Sequence, residues 1–494
     1  MSATVVSAPG KVLLAGGYLV LDPAYSGVVV STSSRFYTVI TPGGLPGQII
    51  VRSPQFLDAT WLYDVLLVQK ETVSVVQSAK SPSASKNKFV ELALKHTLAL
   101  VLDLRSPAEI EAALSSGLDI TIVGDNDFYS QQEQLKIRNL EPTLASLSLL
   151  SPFLPTNVRL SDVSKTGLGS SAALITSLIS ALLVHLDVIP PSILSGSNEA
   201  AIGAKRLAHN LAQFVHCLAQ GKVGSGFDVA AAVFGSQLYT RFDPGVIQGL
   251  MNDDTTSQLF PTISPQNPAW DYRVEPFRLP PFTRILLADV HAGSNTPLLV
   301  GQVLEWRRNN STAAHSVWTA LDQLNTSLAQ TLARLSMLHE QDSEAYLGTV
   351  KYISSMQSVQ WTAVANAQPH LTSCLEAFYE AHLLTEQIRV KMREMGTLSG
   401  VEIEPAQQTK LLDDSVSLAG VIGGGVPGAG GYDAIWLLVC NPPEMFGMRP
   451  LQRVEHLWSS NPSVSPLLAE ESTGSGVRAE DMNAVPGLRE VIGK

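Results

Sequence analysis

The segment Lys165-Thr166-Gly167-Leu168-Gly169-Ser170-Ser171-Ala172-Ala173 constrains this chain more than any other. Its glycines let the backbone turn sharply and approach an anion closely. An apolar stretch of helical length follows, from Ala172 to about Leu186, and Pro190-Pro191 ends it. A helix beginning here offers unpaired N–H groups and the positive end of its dipole, which together make a phosphate site. Ser170 and Ser171 can add hydroxyls to phosphate or Mg²⁺, and Lys165 a point charge. The alternation in Val158 to Val163 predicts a strand leading in. The segment also fits the dinucleotide fingerprint G-x-G-x-x-A, with Asp187 at the expected distance. Ser164, Lys165 and Thr166 argue against that reading, being polar where the fingerprint needs a buried strand end. A Walker A loop fails because no Lys follows the last glycine. An ordinary strand-turn-helix joint remains the bland alternative.

Two further segments are rich in glycine. Gly423 to Asp433 leads into a short apolar run, Ile435 to Val439, and reads as backbone approaching a ligand. Pro9-Gly10-Lys11 to Tyr18 places a turn signal between two short apolar runs; taken alone it is weak.

The remaining chain reads as α+β, in two domains meeting near residue 260. Pro244 to Pro268, dominated by Pro, Asn, Asp, Thr and Ser, is the best linker, and the tail beyond Ser460 reads as weakly ordered. Helices are expected over Phe89–Leu104, Glu199–Ala219 and Asp228–Val233, and through much of 297–395. Strands are expected over Val28–Thr32, Tyr37–Ile40, Leu118–Val123 and Ile285–Asp289. With 494 residues and a net charge of -11, the chain does not read as a general nucleic-acid binder. Cys217, Cys374 and Cys440 are widely separated, which argues against a structural zinc site and fits a reducing compartment. The apolar run 172–188 is too short and too polar to span a bilayer, so a cytoplasmic location without membrane partners is expected.

In order, the three glycine segments resemble the signature motifs of the GHMP kinase superfamily. More narrowly, APGKVLLAGGYLVLDP, KTGLGSSAA, AQGKVGSGFDVAAAVFGS and VPGAGGYDA look like those of the fungal type of phosphomevalonate kinase, over roughly residues 5 to 440. Several separated motifs in order are far more specific than one. The resemblance implies a ribosomal protein S5 domain 2-like domain over 1–260, a ferredoxin-like domain over 261–460, a tail over 461–494, and an active site in the cleft between the two domains. It implies ATP and Mg²⁺ as cofactors, phosphomevalonate as acceptor, and a monomer or homodimer. Lys165, Gly167, Leu168, Gly169, Ser170, Ser171 and Ala172 would hold the nucleotide, with Ser171 near the metal. Lys11 and Asp228 match the catalytic pair. Lys11, Tyr18, Lys222, Ser225, Gly428, Ala429, Gly430 and Gly431 would line the acceptor side.

The chain departs from the wider pattern twice. Gly16-Gly17-Tyr18 stands where many members have Gly-Glu-Tyr. The metal-binding glutamate of mevalonate kinases falls on Cys217, or on His216 if the gap shifts by one; neither suits a hard cation. Both departures favour the phosphomevalonate branch. Weaker candidates are Asp289, His291, Ser294 and Thr296 for the acceptor, and Ser53–Gln55 and Asn87–Phe89 for the base of the nucleotide. His209, His216 and His315 read as ordinary helix residues, and Arg307-Arg308 as a solvated face.

Overall fold

The computed structural model describes residues 3–69, 71–252, 259–290, 296–361, 371–474 and 476–493. Its larger sheet contains β1 (Thr4–Ala15), β2 (Ser26–Pro42), β3 (Gln48–Arg52), β4 (Thr60–Val68), β5 (Thr72–Gln77), β6 (Leu118–Gly124), β7 (Gln237–Thr240), β8 (Arg273–Pro276) and β13 (Arg478–Ala479). The main path runs β13-β1-β2-β6-β3-β4-β5, while β7 pairs with β2 and β8. Only β3 and β6 pair in parallel among the described ladders of this sheet.

One helix organises this half. The glycine loop runs directly into α2 (Ser170–His185), after α1 (Lys88–Leu104), and α3 (Glu199–Gln220) follows. Ile175, Leu178, Ile179, Leu182 and Leu183 are all fully buried. The helix is apolar all round because β1 and β2 cover one side and α1 and α3 the other, which is what a fully enclosed helix requires. Of its interior hydroxyls, Ser177 Oγ lies 3.0 Å from Thr38 Oγ1, while those of Thr176 and Ser180 are buried without a partner among the described residues.

The second sheet holds β9 (Thr283–Val290), β10 (Val421–Gly425), β11 (Ala434–Cys440) and β12 (Val464–Leu467) in the order β10-β11-β9-β12, antiparallel throughout. With helices between β9 and β10 and between β11 and β12, this is the split β-α-β arrangement of a ferredoxin-like domain. Both faces of β11 are covered. Trp436, Leu438 and Cys440 join the core shared with the first half. Ile435, Leu437 and Val439 pack with Trp318, Val454 and Trp458. Double burial accounts for the unbroken apolar run there.

Several expectations need correction. Pro9-Gly10 is not a turn between strands but an irregularity inside β1, where the register with β2 shifts between Pro9 and Lys11. Val158–Val163 forms no strand; Arg159 makes only an isolated bridge to Leu57, and Leu160 and Val163 pack only partly buried against the core. Thr72–Gln77 is the strand that ends the main path of this sheet. The 244–268 segment is largely packed rather than a free linker. It holds helices at Gly245–Asn252 and Leu259–Ile263, and Ile247, Leu250, Leu259 and Ile263 enter the core; residues 253–258 lie outside the described residues. β8 still belongs to the first sheet, so the passage to the second follows Pro276 rather than residue 260.

The tail beyond Ser460 is built into the fold. β12 pairs with β9, the Ser33 N–H donates to the Glu470 carbonyl (2.7 Å), and β13 pairs with β1. Leu488 is fully buried against Val5, Tyr37 and Phe153. The tail's apolar residues dock in separate groups, Leu467, Ala469 and Val477 in the main core and Leu488 with Met482, Val485, Val491 and Ile492 against Val5 and Tyr37, so no single period runs through them.

Candidate active site

The register shift at Gly10 brings β1 against the glycine loop. The Lys11 N–H donates to the Leu168 carbonyl (2.9 Å) and the Lys11 ammonium to the Gly167 carbonyl (2.8 Å). A Cβ on Gly10 would stand 2.8 Å from the Leu168 oxygen, so the contact demands glycine. Strand irregularities of this kind re-aim side chains near active sites. The Lys11 ammonium also lies 5.4 Å from the centroid of the Phe227 ring. Burial lowers its pKa below the usual lysine range, and the Asp228 carboxylate partly offsets this.

Gly167 and Gly169 both have φ of 79°. Gly169 is the residue before α2 and supplies no side-chain cap, leaving the first-turn N–H groups open to a ligand. The loop's start is pinned by the Thr166 hydroxyl, which donates to the Asp127 carbonyl. Beside it is a cavity of about 750 Å³, whose lining includes Lys165, Ser170, Ser171, Trp61, Asn87 and Phe89. Of the predicted nucleotide residues, Lys165, Ser170 and Ser171 border this space, which is of ligand size. Asn87 has a second role, accepting from the Val90 N–H (3.2 Å) to cap α1. Gln55 is not part of this wall: its amide exchanges two hydrogen bonds with the Gly124 backbone (2.8 and 2.9 Å).

Asp228 opens α4 (Phe227–Phe234), behind Gly226 with φ 83°. A Cβ on Gly226 would meet Gln213 Oε1 at 2.7 Å and Tyr239 Oη at 2.8 Å. The preceding loop is tied down by Arg241, which sequence reasoning missed. Its guanidinium donates to the carbonyls of Val223 (3.0 Å), Gly224 (2.6 Å) and Leu21. Tyr239 Oη donates to the Ser225 carbonyl (2.9 Å). Lys222 stays exposed just past α3.

His216 was missed as well. Far from being an ordinary helix residue, it is buried with its Nε2 3.1 Å from Ser171 Oγ and 3.8 Å from Asp228 Oδ2. Its neighbour Cys217 turns inward, where Gln213 Nε2 donates to its sulfur (3.1 Å) and burial raises its pKa. The structure therefore puts His216, not Cys217, against the site; the one-residue shift in spacing was the available signal.

The third glycine segment divides in two. Gly423 to Gly425 lie in β10 as packing positions. A Cβ on Gly423 would meet Thr385 Oγ1 at 2.2 Å, in the neighbouring helix α5 (Thr372–Ser399), and one on Gly424 or Gly425 would meet Leu437 or Trp436 of β11, so these glycines admit packed protein rather than a ligand. Gly428, Gly430 and Gly431 form the turn that faces the first motif. Tyr18, strained at φ 64°, donates from Oη to the Ala429 carbonyl (2.8 Å). Burial raises the Tyr18 pKa, so the hydroxyl keeps its proton for this bond.

Among the weaker candidates, Asp289 is buried in β9 and hydrogen-bonded by Ser130, with its pKa pushed up to about 7 by burial. His291 and Ser294 lie outside the described residues. Arg307 is no solvated face: it pairs with Asp22 (2.5 Å) and stacks 3.8 Å over Trp318. A separate cavity of about 690 Å³, lined by Arg393, Gly400, Glu404 and Lys410 among others, contains none of the motif residues.

Among the described residues no group of three or more His, Cys, Asp and Glu is arranged to hold a metal ion, and no helix is long and apolar enough to cross a membrane. The hydroxyl of Ser171 and the carboxylate of Asp228, both beside His216 Nε2, do suit a Mg²⁺ ion. Such an ion keeps waters and phosphate oxygens and takes only one or two protein ligands.

No family model matches the chain. It is 36% identical over 506 residues to the peroxisomal phosphomevalonate kinase of Arabidopsis thaliana, covering 97% of each chain. To the phosphomevalonate kinase erg8 of Aspergillus fumigatus it is 35% identical over 483 residues, covering 90% of this chain and 88% of that one. The fold is shared with Streptococcus pneumoniae phosphomevalonate kinase, solved in complex with phosphomevalonate and AMPPNP. That match has a TM-score of 0.53 and 15% identity, and covers 96% of this chain and all of the other. Near-complete coverage at this identity means that the chain belongs to the phosphomevalonate kinase family.

Proposed function

We propose that this protein transfers the γ-phosphoryl group of ATP to (R)-5-phosphomevalonate, giving ADP and (R)-5-diphosphomevalonate, a step of isoprenoid and sterol synthesis. The observation that carries this reading is the convergence on Lys11. Its ammonium is bonded to the glycine loop at Gly167 and electrostatically coupled to Asp228.

Phosphoryl transfer asks a protein for alignment and charge neutralisation more than for covalent chemistry. Lys165, Gly167, Leu168, Gly169 and the first turn of α2, through Ser170, Ser171 and Ala172, hold the nucleotide phosphates. Tyr18, Ser225 and the turn Gly428-Ala429-Gly430-Gly431 shape the acceptor side, and Lys222 adds charge at its rim. Ser171 would help hold Mg²⁺ beside the nucleotide phosphates, and the ion would supply neutralising charge there. The acceptor is a phosphate monoester with a second pKa of about 6, so it is already a dianion at pH 7 and needs little help from a base. Asp228 therefore orients Lys11, and Lys11 stabilises the charge that passes between the two phosphates. The three described cysteines are all free and buried, which accords with a reducing compartment such as the cytoplasm.

Phosphorus NMR of the protein with ATP and phosphomevalonate tests this. The expected result is a new pair of diphosphate resonances growing as the monoester signal falls. Nucleotide binding without any product would favour a catalytically silent member of the fold, and product from mevalonate alone would favour a mevalonate kinase.

A further inference from the structure

His216 occupies a position that the proposed mechanism does not yet use. Three polar groups crowd its Nε2: Ser171 Oγ at 3.1 Å, Gln220 Nε2 at 3.0 Å and Asp228 Oδ2 at 3.8 Å. The imidazole is 3% exposed, and the Phe89 ring lies 6.4 Å away, centroid to centroid. Gln220 sits one turn further along α3, so helix geometry itself holds that partner in place.

An amide nitrogen can only donate, so the nitrogen facing Gln220 carries a lone pair. That nitrogen has one in-plane lone pair, which the Gln220 amide and the Ser171 hydroxyl, 3.1 Å away, share; with no N–H there to donate to it, the serine turns its proton inward. That leaves the oxygen's lone pairs facing away from His216 and towards the cleft. An exposed serine would rotate among three staggered positions, whereas this one is held in the position that presents an acceptor to a cation.

We propose that His216 is a positioning residue that fixes the Ser171 hydroxyl as a ligand for the metal of the metal–nucleotide complex. The proposal rests on the kinase reading above. It assigns His216 no contact with the metal or the phosphates; the residue acts only through Ser171. Outer partners of this kind typically change metal affinity by about 10- to 100-fold when removed.

The test uses Mn²⁺ as a spectroscopic probe. Its affinity is measured by electron paramagnetic resonance on the full chain saturated with AMPPNP, and ADP affinity is measured separately by calorimetry in excess chelator. His216→Ala should weaken Mn²⁺ binding about tenfold while leaving metal-free ADP affinity within about twofold. His216→Gln places a hydrogen-bonding atom at a similar reach and should recover most of the loss. Ser171→Ala should weaken Mn²⁺ to a similar degree, and the double variant no further. Unchanged Mn²⁺ affinity in His216→Ala overturns the proposal, as does an equal loss of metal-free ADP affinity or a Gln variant no better than Ala. A wild-type protein that binds no nucleotide overturns the kinase reading and this proposal together, so the two failures are told apart.

Discussion

Gly17 and Gly428 are in direct contact: a Cβ on Gly17 would stand 2.3 Å from the Gly428 carbonyl oxygen. The first and third glycine segments thus meet backbone to backbone at residues 411 positions apart. Where others of the wider superfamily carry Gly-Glu-Tyr, any side chain at 17 would hold these two walls apart. Gly17→Ala should lower stability by about 1–3 kcal/mol, the usual cost of overpacking. It should also raise the KM for the acceptor more than that for ATP. Denaturant unfolding and steady-state kinetics check both.

Gly169 supports a second prediction. Its φ of 79° is one L side chains rarely adopt, and a Cβ there would stand 3.0 Å from Lys11 Cε. Gly169→Ala should therefore strain the loop by about 1 kcal/mol and push Lys11 from its place. The expected outcome is a fall in kcat exceeding the loss of ATP affinity. Gly221, with φ of 72° but open space around its Cβ position, serves as the control: Gly221→Ala should cost similar stability without that fall in kcat.

The division of labour between Lys11 and Asp228 is testable by substitution. Lys11→Met should lose about 10²- to 10³-fold in kcat, as removal of one preorganised charge-stabilising donor does. Asp228→Asn should lose less than the roughly 10²-fold that marks a proton-abstracting base. A dead Asn variant beside an active Met variant would reverse the roles. Because burial lowers the Lys11 pKa, activity should fall on the alkaline side below the ordinary lysine range. Lys11→Arg should move that limb to higher pH.

Asp289 should leave a signature in stability. Its pKa is pushed up from the ordinary carboxyl value to about 7, so between roughly pH 4 and 7 the folded chain binds more protons here than the unfolded chain. Its contribution is full below the unfolded value and is lost as pH rises through about 7. Asp289→Asn should flatten this part of the stability profile, as read from unfolding midpoints between pH 4 and 8.

The C-terminal segment closes the first sheet through Glu480. Its Oε1 accepts from Ser7 Oγ at 2.6 Å and Arg478 Nε at 2.7 Å, and lies 3.7 Å from the buried Arg35. Arg35 in turn donates to the Gly476 carbonyl (2.6 Å). Glu480→Ala leaves Arg35 buried with less compensation and should cost about 2–3 kcal/mol, measurable by denaturant unfolding.

Local chemistry made much of this legible before the fold was known. The glycine loop and its enclosed helix were readable because Gly167, Gly169 and the apolar run lie together in the chain. Lys11 and Asp228 were singled out by motif, but the contact that joins Lys11 to the loop depends on a strand irregularity at Gly10 that reads locally as a turn. His216 and Arg241 were hidden because a buried histidine or arginine looks like any other helix or strand residue until its partners, distant in sequence, are placed beside it. The tail escaped for the same reason, since Glu480 and Leu488 gain meaning only from Ser7, Arg35 and Val5. Gly423 to Gly425 erred the other way, because glycine that admits a helix and glycine that admits a ligand look alike in sequence.

The most direct test of the central claim is a coupled ADP-release assay comparing phosphomevalonate with mevalonate at matched concentrations. The geometry around Lys11, Asp228 and the Gly428–Gly431 turn predicts rapid ADP release with phosphomevalonate and only background release with mevalonate. Release with mevalonate but not phosphomevalonate, or with neither, would contradict it.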